Sequence, residues 1–201
     1  QELGIEHDGE GFYGISARAP QTVMTPIVQA AKDSESTYVN TLLGYTNSDA
    51  ASLTWQDAGK LVADGKAAFN VMGDWQDGYF SGTKKGGNLA LKPGTQYGWA
   101  PVPGTDNVYD WLSDSFTLPK GAPHRAQAVQ WLAFLGSRLA QDTFNPVKGS
   151  IPARQDASPK LYNTYLKWAL QEWKRDKLAG SLTHGVVASN AAADMIWPAW
   201  Q

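Results

Sequence analysis

The residues best suited to reaction chemistry in this chain are the carboxylates of Asp74, Asp77, Asp106 and Asp114. Two carboxyl groups facing each other across a glycosidic bond, one of them with a raised pKa, would make a glycoside hydrolase. Asp114 has no evident catalytic partner, so hydrolysis is carried forward only as an alternative. His7 and His124 have no partner at metal-ligand spacing, and the absence of Cys excludes thiolate zinc sites, cysteine nucleophiles and a disulfide scaffold. No metal and no cofactor is implied. A stronger signal is the nine Trp in a chain with only 18% charged residues. Flat indole faces with an N–H edge suit partly wet concave sites as well as cores, and the apolar C–H faces of sugar rings stack on such planes. The Trp surplus raises carbohydrate as a ligand class, with core packing as the competing reading for most of the rings.

Composition narrows the partners further. The 201 residues are 42% hydrophobic, enough for a real core. A formal charge of -2 and a pI near 5.9 give no cationic footprint for nucleic acid. No apolar run approaches the roughly 20 residues of a membrane helix, so direct membrane insertion is not expected. The N-terminus lacks the basic-then-apolar layout of a secretory signal.

The elements that must position these residues follow from spacing. Thr54-Trp55-Gln56-Asp57 reads as a capping box opening a short helix that Gly65 ends. Lys66 to Gly73 is expected to be a buried strand running into a turn at Gly73-Asp74-Trp75, followed by a loop over Ser81–Gly94. Two further strands are expected over Gln96–Val102 and Asp110–Leu118, separated by turn residues. His124–Leu135 has strong helical spacing, with a second helix ending before Pro146 and a loop from Asn145 to Pro152. Ser158-Pro159 can open another helix, carrying Tyr162, Tyr165, Trp168 and Trp173 and ending at Gly180. Ahead of all this, only Thr22 to Lys32 is weakly helical. With no internal repeat and no clear linker, residues 1–201 read as one mixed α/β domain.

An ordered set of fragments resembles the glucose/galactose-binding proteins of ABC importers, the extracellular solute-binding proteins type 1. The set is Leu53-Thr54-Trp55-Gln56-Asp57-Ala58, Gly65 to Trp75, Leu91-Lys92-Pro93-Gly94-Thr95, Trp99-Ala100-Pro101, Leu112-Ser113-Asp114-Ser115-Phe116 and Leu118 to Ala122. It continues through Gln141-Asp142-Thr143-Phe144-Asn145-Pro146, Lys148-Gly149-Ser150-Ile151 and Ser181-Leu182-Thr183-His184-Gly185. The resemblance implies one lobe of a periplasmic-binding-protein type II fold, a mixed sheet flanked by helices, and specifically the C-terminal lobe. It also implies a non-catalytic monosaccharide receptor, periplasmic or extracellular, serving the membrane subunits of an ABC transporter.

The substrate-binding groups implied by the resemblance are Trp55, Trp75, Asp114, Lys148 and His184. Each has chemistry of its own. Asp114 lies in an apolar segment expected as strand, where a carboxylate is costly to bury unless paired. Two adjacent sugar hydroxyls would meet that need, and so would backbone donors at a loop edge. Lys148, expected in a Gly- and Pro-flanked loop, can donate to hydroxyls or stay solvated. Trp75 is expected beyond a strand end, where open α/β sheets bind ligands. Trp55 opens a helix, and His184 precedes Gly185, which permits close backbone approach. Trp99, Trp111, Trp131, Trp168 and Trp173 are assigned to packing, with Tyr109 and Trp111 as further cleft candidates.

The chain departs from the family in its ends. A complete N-terminal lobe is expected ahead of the matched region and is missing here; residues 1–42 and 189–201 are atypical. An isolated or engineered lobe, with weakened affinity, is one expectation. A structural or interaction domain whose groove is covered by the first 40 residues is another.

Overall fold

The computed structural model describes residues 5–7, 13–15, 45–102, 105–181, 184, 186 and 187. The expected helix over Thr22–Lys32, the atypical tail after Ser189 and any covering of the groove by the first 40 residues lie outside those residues. The chain divides into two compact units. One is Asp49–Tyr109 with His124–Leu178; the other is Gln1–Ser48, Asp110–Pro123 and Ala179–Gln201.

In the first unit, helix α1 (Trp55–Ala63) starts as its sequence dictates. Thr54 Oγ1 accepts the Asp57 N–H at 3.2 Å and donates to the Asp57 carboxylate at 2.6 Å. Such a cap contributes about 1 kcal/mol. Gly65, at φ +70, turns the chain out of the helix. Lys66–Gly73 is not a strand: the segment is irregular, with Phe69 90% and Val71 75% exposed. An apolar run becomes a strand only with a neighbour to pair with, and among the described residues none pairs here. Helix α2 (Trp75–Ser81) follows at once.

Helices α3 (Arg125–Leu135) and α4 (Arg138–Lys148) are joined at Gly136-Ser137, with Ser137 Oγ accepting the Ala140 N–H at 3.2 Å. Pro146 lies inside α4 rather than beyond it. Its missing N–H forfeits one helical bond, and because the helix ends two residues later the disruption is confined to the last turn. Helix α5 (Thr164–Arg175) is capped by Asn163, whose Oδ1 accepts the Leu166 N–H at 2.9 Å. It stops well before Gly180. Its inner face supplies the fully buried Leu166 and Ala169, which join Phe80, Ala140 and Tyr162 as the core of this unit. Full burial of a Leu-sized side chain contributes roughly 1.5–3 kcal/mol.

Sheet structure is sparse. Strands β1 (Ile5–His7) and β2 (Tyr13–Ile15) pair antiparallel with Glu6 opposite Gly14. Strands β3 (Val108–Trp111) and β4 (Lys177–Gly180) form a second pair. The Lys177 N–H donates to Asn107 O and the Ser181 N–H to Trp111 O, each at 2.9 Å; both partners advance together, so this pair is parallel. The expected strand over Gln96–Val102 is reduced to a single bridge between Pro93 and Tyr97, and that over Asp110–Leu118 to the end of β3. The result is a partial α/β fold with a small parallel sheet, in keeping with part of a periplasmic-binding-protein lobe.

Candidate functional site

The first compact unit carries an open concavity of about 390 Å³, within the roughly 300–1,000 Å³ of small-molecule sites. Its lining includes Trp55, Gln56, Trp75, Tyr79, Asn88 and Lys148. Three of the five expected binding residues, Trp55, Trp75 and Lys148, therefore meet in one place. Trp55, 38% exposed, packs edge-on against Tyr79 with ring centroids 5.7 Å apart. Trp75 is half-buried. Both indoles occupy the first position of a helix, where backbone N–H groups lack helical acceptors.

Lys148 is not in a loop but is the last residue of α4, where its cation complements the helix C-terminus. The preceding motif explains why the helix ends in this manner. Buried Asn145 donates to Gln141 Oε1 at 3.0 Å and accepts from Ser150 Oγ at 2.9 Å, while its carbonyl accepts the Gly149 N–H at 2.9 Å. Asp142 Oδ1 takes the Ser158 N–H at 2.9 Å. Gly149 has φ +83, and a Cβ there would stand 2.2 Å from the Gly78 N; a Cβ at Gly78 would stand 2.2 Å from the Lys148 carbonyl oxygen. Backbone of α2 thus lies directly on the end of α4, and this contact sets Trp75 and Lys148 side by side.

Helix α2 has two faces. Trp75 and Tyr79 point to the concavity, while Asp74, at its N-cap, and Asp77 point to the interior. Asp77 is 3% exposed and accepts from the Tyr97 hydroxyl at Oδ1 and from Asn163 Nδ2, 2.8 Å, at Oδ2. Asp74 accepts from Tyr165, 2.5 Å, at Oδ1 and from Tyr109, 2.9 Å, at Oδ2. Burial pushes the Asp77 carboxyl above its ordinary value, against the pull of its two hydrogen bonds. The Tyr97, Tyr109 and Tyr165 hydroxyls are raised far beyond the usual tyrosine range, first by burial and then by the facing carboxylates, so all three stay protonated donors. Its partners lie 20 to 91 residues apart, so no local sequence signal marks the network. It also engages two of the four carboxylates considered for paired acid chemistry, Asp74 and Asp77, and it gives Tyr109 an interior role in place of a cleft role.

Asp114 and His184 belong to the second unit. Asp114 is exposed and lies after β3, not within a strand, so the expected cost of burying its carboxylate does not arise. His184 Nδ1 is 2.8 Å from Ser181 Oγ, and Ser181, 5% exposed, follows β4 directly. Thr183 and Gly185 lie outside the described residues. Of the Trp assigned to packing, Trp99 meets Tyr165 and Trp168 at 5.3 and 6.2 Å, and Trp173 meets Tyr109 at 5.6 Å. Trp131 differs: it is 57% exposed and stacks with Phe134 of the same helix, α3, at 5.5 Å. Among the described residues no cluster could hold a metal ion, and no helix is long and apolar enough to cross a membrane.

The described residues thus form a partial α/β fold with an aromatic concavity that has Lys148 at its wall. The family model for bacterial extracellular solute-binding proteins matches residues 11–142, beginning ahead of the motif series that opens at Leu53. This chain belongs to that family, whose members are solute-binding proteins of ABC transporters and not enzymes. It is 43% identical over 149 residues to an uncharacterized ABC transporter extracellular-binding protein of Pyrococcus horikoshii, covering 73% of this chain and 32% of the relative. Against a xylose/arabinose-binding protein of Haloferax volcanii it is 34% identical over 128 residues, 64% of this chain and 27% of the relative. A Mesorhizobium japonicum protein named "probable sugar-binding periplasmic protein" is 33% identical over 158 residues, 76% and 36% of the two chains. The matched stretch thus spans about a third of the curated relatives.

Proposed function

We propose that this chain supplies one wall of a sugar site in the substrate-binding component of an ABC importer working outside the cytoplasm. Its ligand is a monosaccharide such as glucose or galactose, and its partners are the transporter's membrane subunits. The observation that carries this reading is the convergence of Trp55, Trp75 and Lys148 on one open concavity beside the amides of Gln56 and Asn88. Indole planes stack on the C–H face of a pyranose, and the ammonium and amides meet its hydroxyls. The names of the relatives, among them sugar-binding, xylose/arabinose-binding and glucose-binding proteins, support the carbohydrate class. For Asp114 and His184, which belong to the other unit, roles as hydroxyl acceptor and imidazole partner rest on the family resemblance alone.

An open half-site leaves the ligand in competition with water, so affinity for this chain alone should be weak, on the order of millimolar. A monosaccharide panel followed by Trp fluorescence tests the reading. Glucose or galactose should saturate the signal in the millimolar range, and Trp75→Ala should weaken binding by about 30-fold, a hot-spot loss near 2 kcal/mol. Binding that survives Trp75→Ala, or no saturation with any sugar, would overturn it. Aryl glucosides should be left intact.

A further inference from the structure

Helix α2 is too short to hold a ring by itself. It has seven residues, and Asp74, at its N-cap position, makes no side-chain cap bond. Helices of this length have little stability of their own in water. What fixes its roll is the inner face: the carboxylates of Asp74 and Asp77, each with one donor on each oxygen. Those donors come from two other places, the 97–109 segment through Tyr97 and Tyr109, and the start of α5 through Asn163 and Tyr165. Asn163 does two jobs, since its Oδ1 caps α5 while its Nδ2 reaches Asp77 at 2.8 Å and Ser81 Oγ at 3.4 Å. Ser81 Oγ in turn donates to the Asp77 carbonyl at 2.8 Å. Trp75 lies one residue after Asp74, and Tyr79 lies two after Asp77, on the opposite side. Any rotation of α2 that breaks the inner bonds must swing both rings.

We propose that Asp77 and Asn163 are positioning residues for the aromatic platform of Trp75 and Tyr79: their hydrogen bond, with that of Tyr97, sets the angle at which α2 presents the two rings to a sugar. The proposal rests on the sugar reading for its functional consequence and on the polarity of the buried bonds for its mechanism. Both partners facing Asp77 are donors, so the carboxylate must accept twice. A neutral amide at position 77 can accept from Tyr97 but then turns its own N–H groups toward the Asn163 N–H groups, two donors facing each other. Placing a carboxylate at position 163 restores the complement, because it can accept from the new amide at 77 and still cap α5.

The test compares the chain with Asp77→Asn, Asn163→Asp and the double variant. Two readouts are followed: sugar affinity from titration, and the Trp75 indole N–H resonance, assigned by its disappearance in Trp75→Phe. Asp77→Asn should displace the resonance and weaken glucose or galactose affinity by about tenfold, the scale of one charge-assisted hydrogen bond. The double variant should return both toward the starting values. A Trp75 resonance unmoved by Asp77→Asn, or a double variant as displaced as the single, would overturn the proposal. A resonance that moves and is restored in a chain that answers no sugar would uphold the positioning role and sink the sugar reading instead. If Asp77→Asn does not fold, Tyr97→Phe removes one donor while keeping the half-buried ring, and the same resonance must shift.

Discussion

Trp55 and Trp75 each occupy the first position of a helix and line the same concavity, yet they are held there by different physics. The helix that carries Trp55 is started locally: Thr54 and Asp57, one residue before and two after it, close a capping box that needs nothing else in the chain, and the ring then packs on Tyr79. Trp75 is placed by distant groups. Its helix has no side-chain cap and depends on hydroxyl and amide donors between 20 and 91 residues away. A locally fixed ring tolerates changes elsewhere in the fold. A ring fixed by tertiary contacts moves when any of its remote partners changes.

The largest effect should come from breaking the contact that only the Trp75 helix has. Gly78→Ala puts a Cβ 2.2 Å from the Lys148 carbonyl oxygen, a backbone atom that cannot move aside without displacing the end of α4. Overpacking of this kind costs about 3 kcal/mol, and urea denaturation should show it together with a loss of sugar response. Next in size is Asn163→Ala, which removes the α5 cap and leaves one buried oxygen of Asp77 without its donor. The expected loss is about 2 kcal/mol, and here too the platform of Trp75 and Tyr79 should be disturbed while the capping box of α1 stays intact.

This contrast also marks what could be read from the chain before its structure. The Thr54 capping box, the helix over Arg125–Leu135 and the aromatic positions now found at the concavity were legible because their signals are local or rest on motif order. The strand expected over Lys66–Gly73 was not there, since an apolar run carries no record of whether a neighbour will pair with it. Pro146, expected beyond α4, lies in its last turn, where a proline costs only one bond. From sequence, Asp74 and Asp77 read as candidate acids, and Asp74 also as a turn residue. Their spacing of three on a short helix is visible in the sequence, and it hints at a shared face. The tyrosines and the asparagine that use that face come from far along the chain.

A smaller effect, with a definite sign, follows from the burial of Asp77. Its folded-state pKa is raised above 3.8, so between that value and the raised one the folded state binds more protons than the unfolded chain. The contribution of this group is fully present below 3.8 and declines as pH rises through the window. Asp77→Asn should remove the decline. Stability of the parent minus that of the variant, measured by denaturation at a series of pH values, should therefore fall across the window as pH increases. A difference that rises with pH would mean that the hydrogen bonds from Tyr97 and Asn163 outweigh burial.

The smallest effect is expected at the other ring, and it sharpens the comparison most. Thr54→Ala removes an exposed capping box, a loss of roughly 0.5–1 kcal/mol, and should speed amide exchange in the first turn of α1. Trp55 remains braced against Tyr79, so sugar affinity should change by no more than about twofold, under 0.5 kcal/mol. The informative quantity is the ratio of affinity loss to stability loss in Thr54→Ala and in Asn163→Ala. If positioning at Trp75 is tertiary and at Trp55 local, the ratio is several times larger for Asn163→Ala. Equal ratios would mean that both variants weaken binding only through general loosening of the fold, and the distinction between the two rings would disappear.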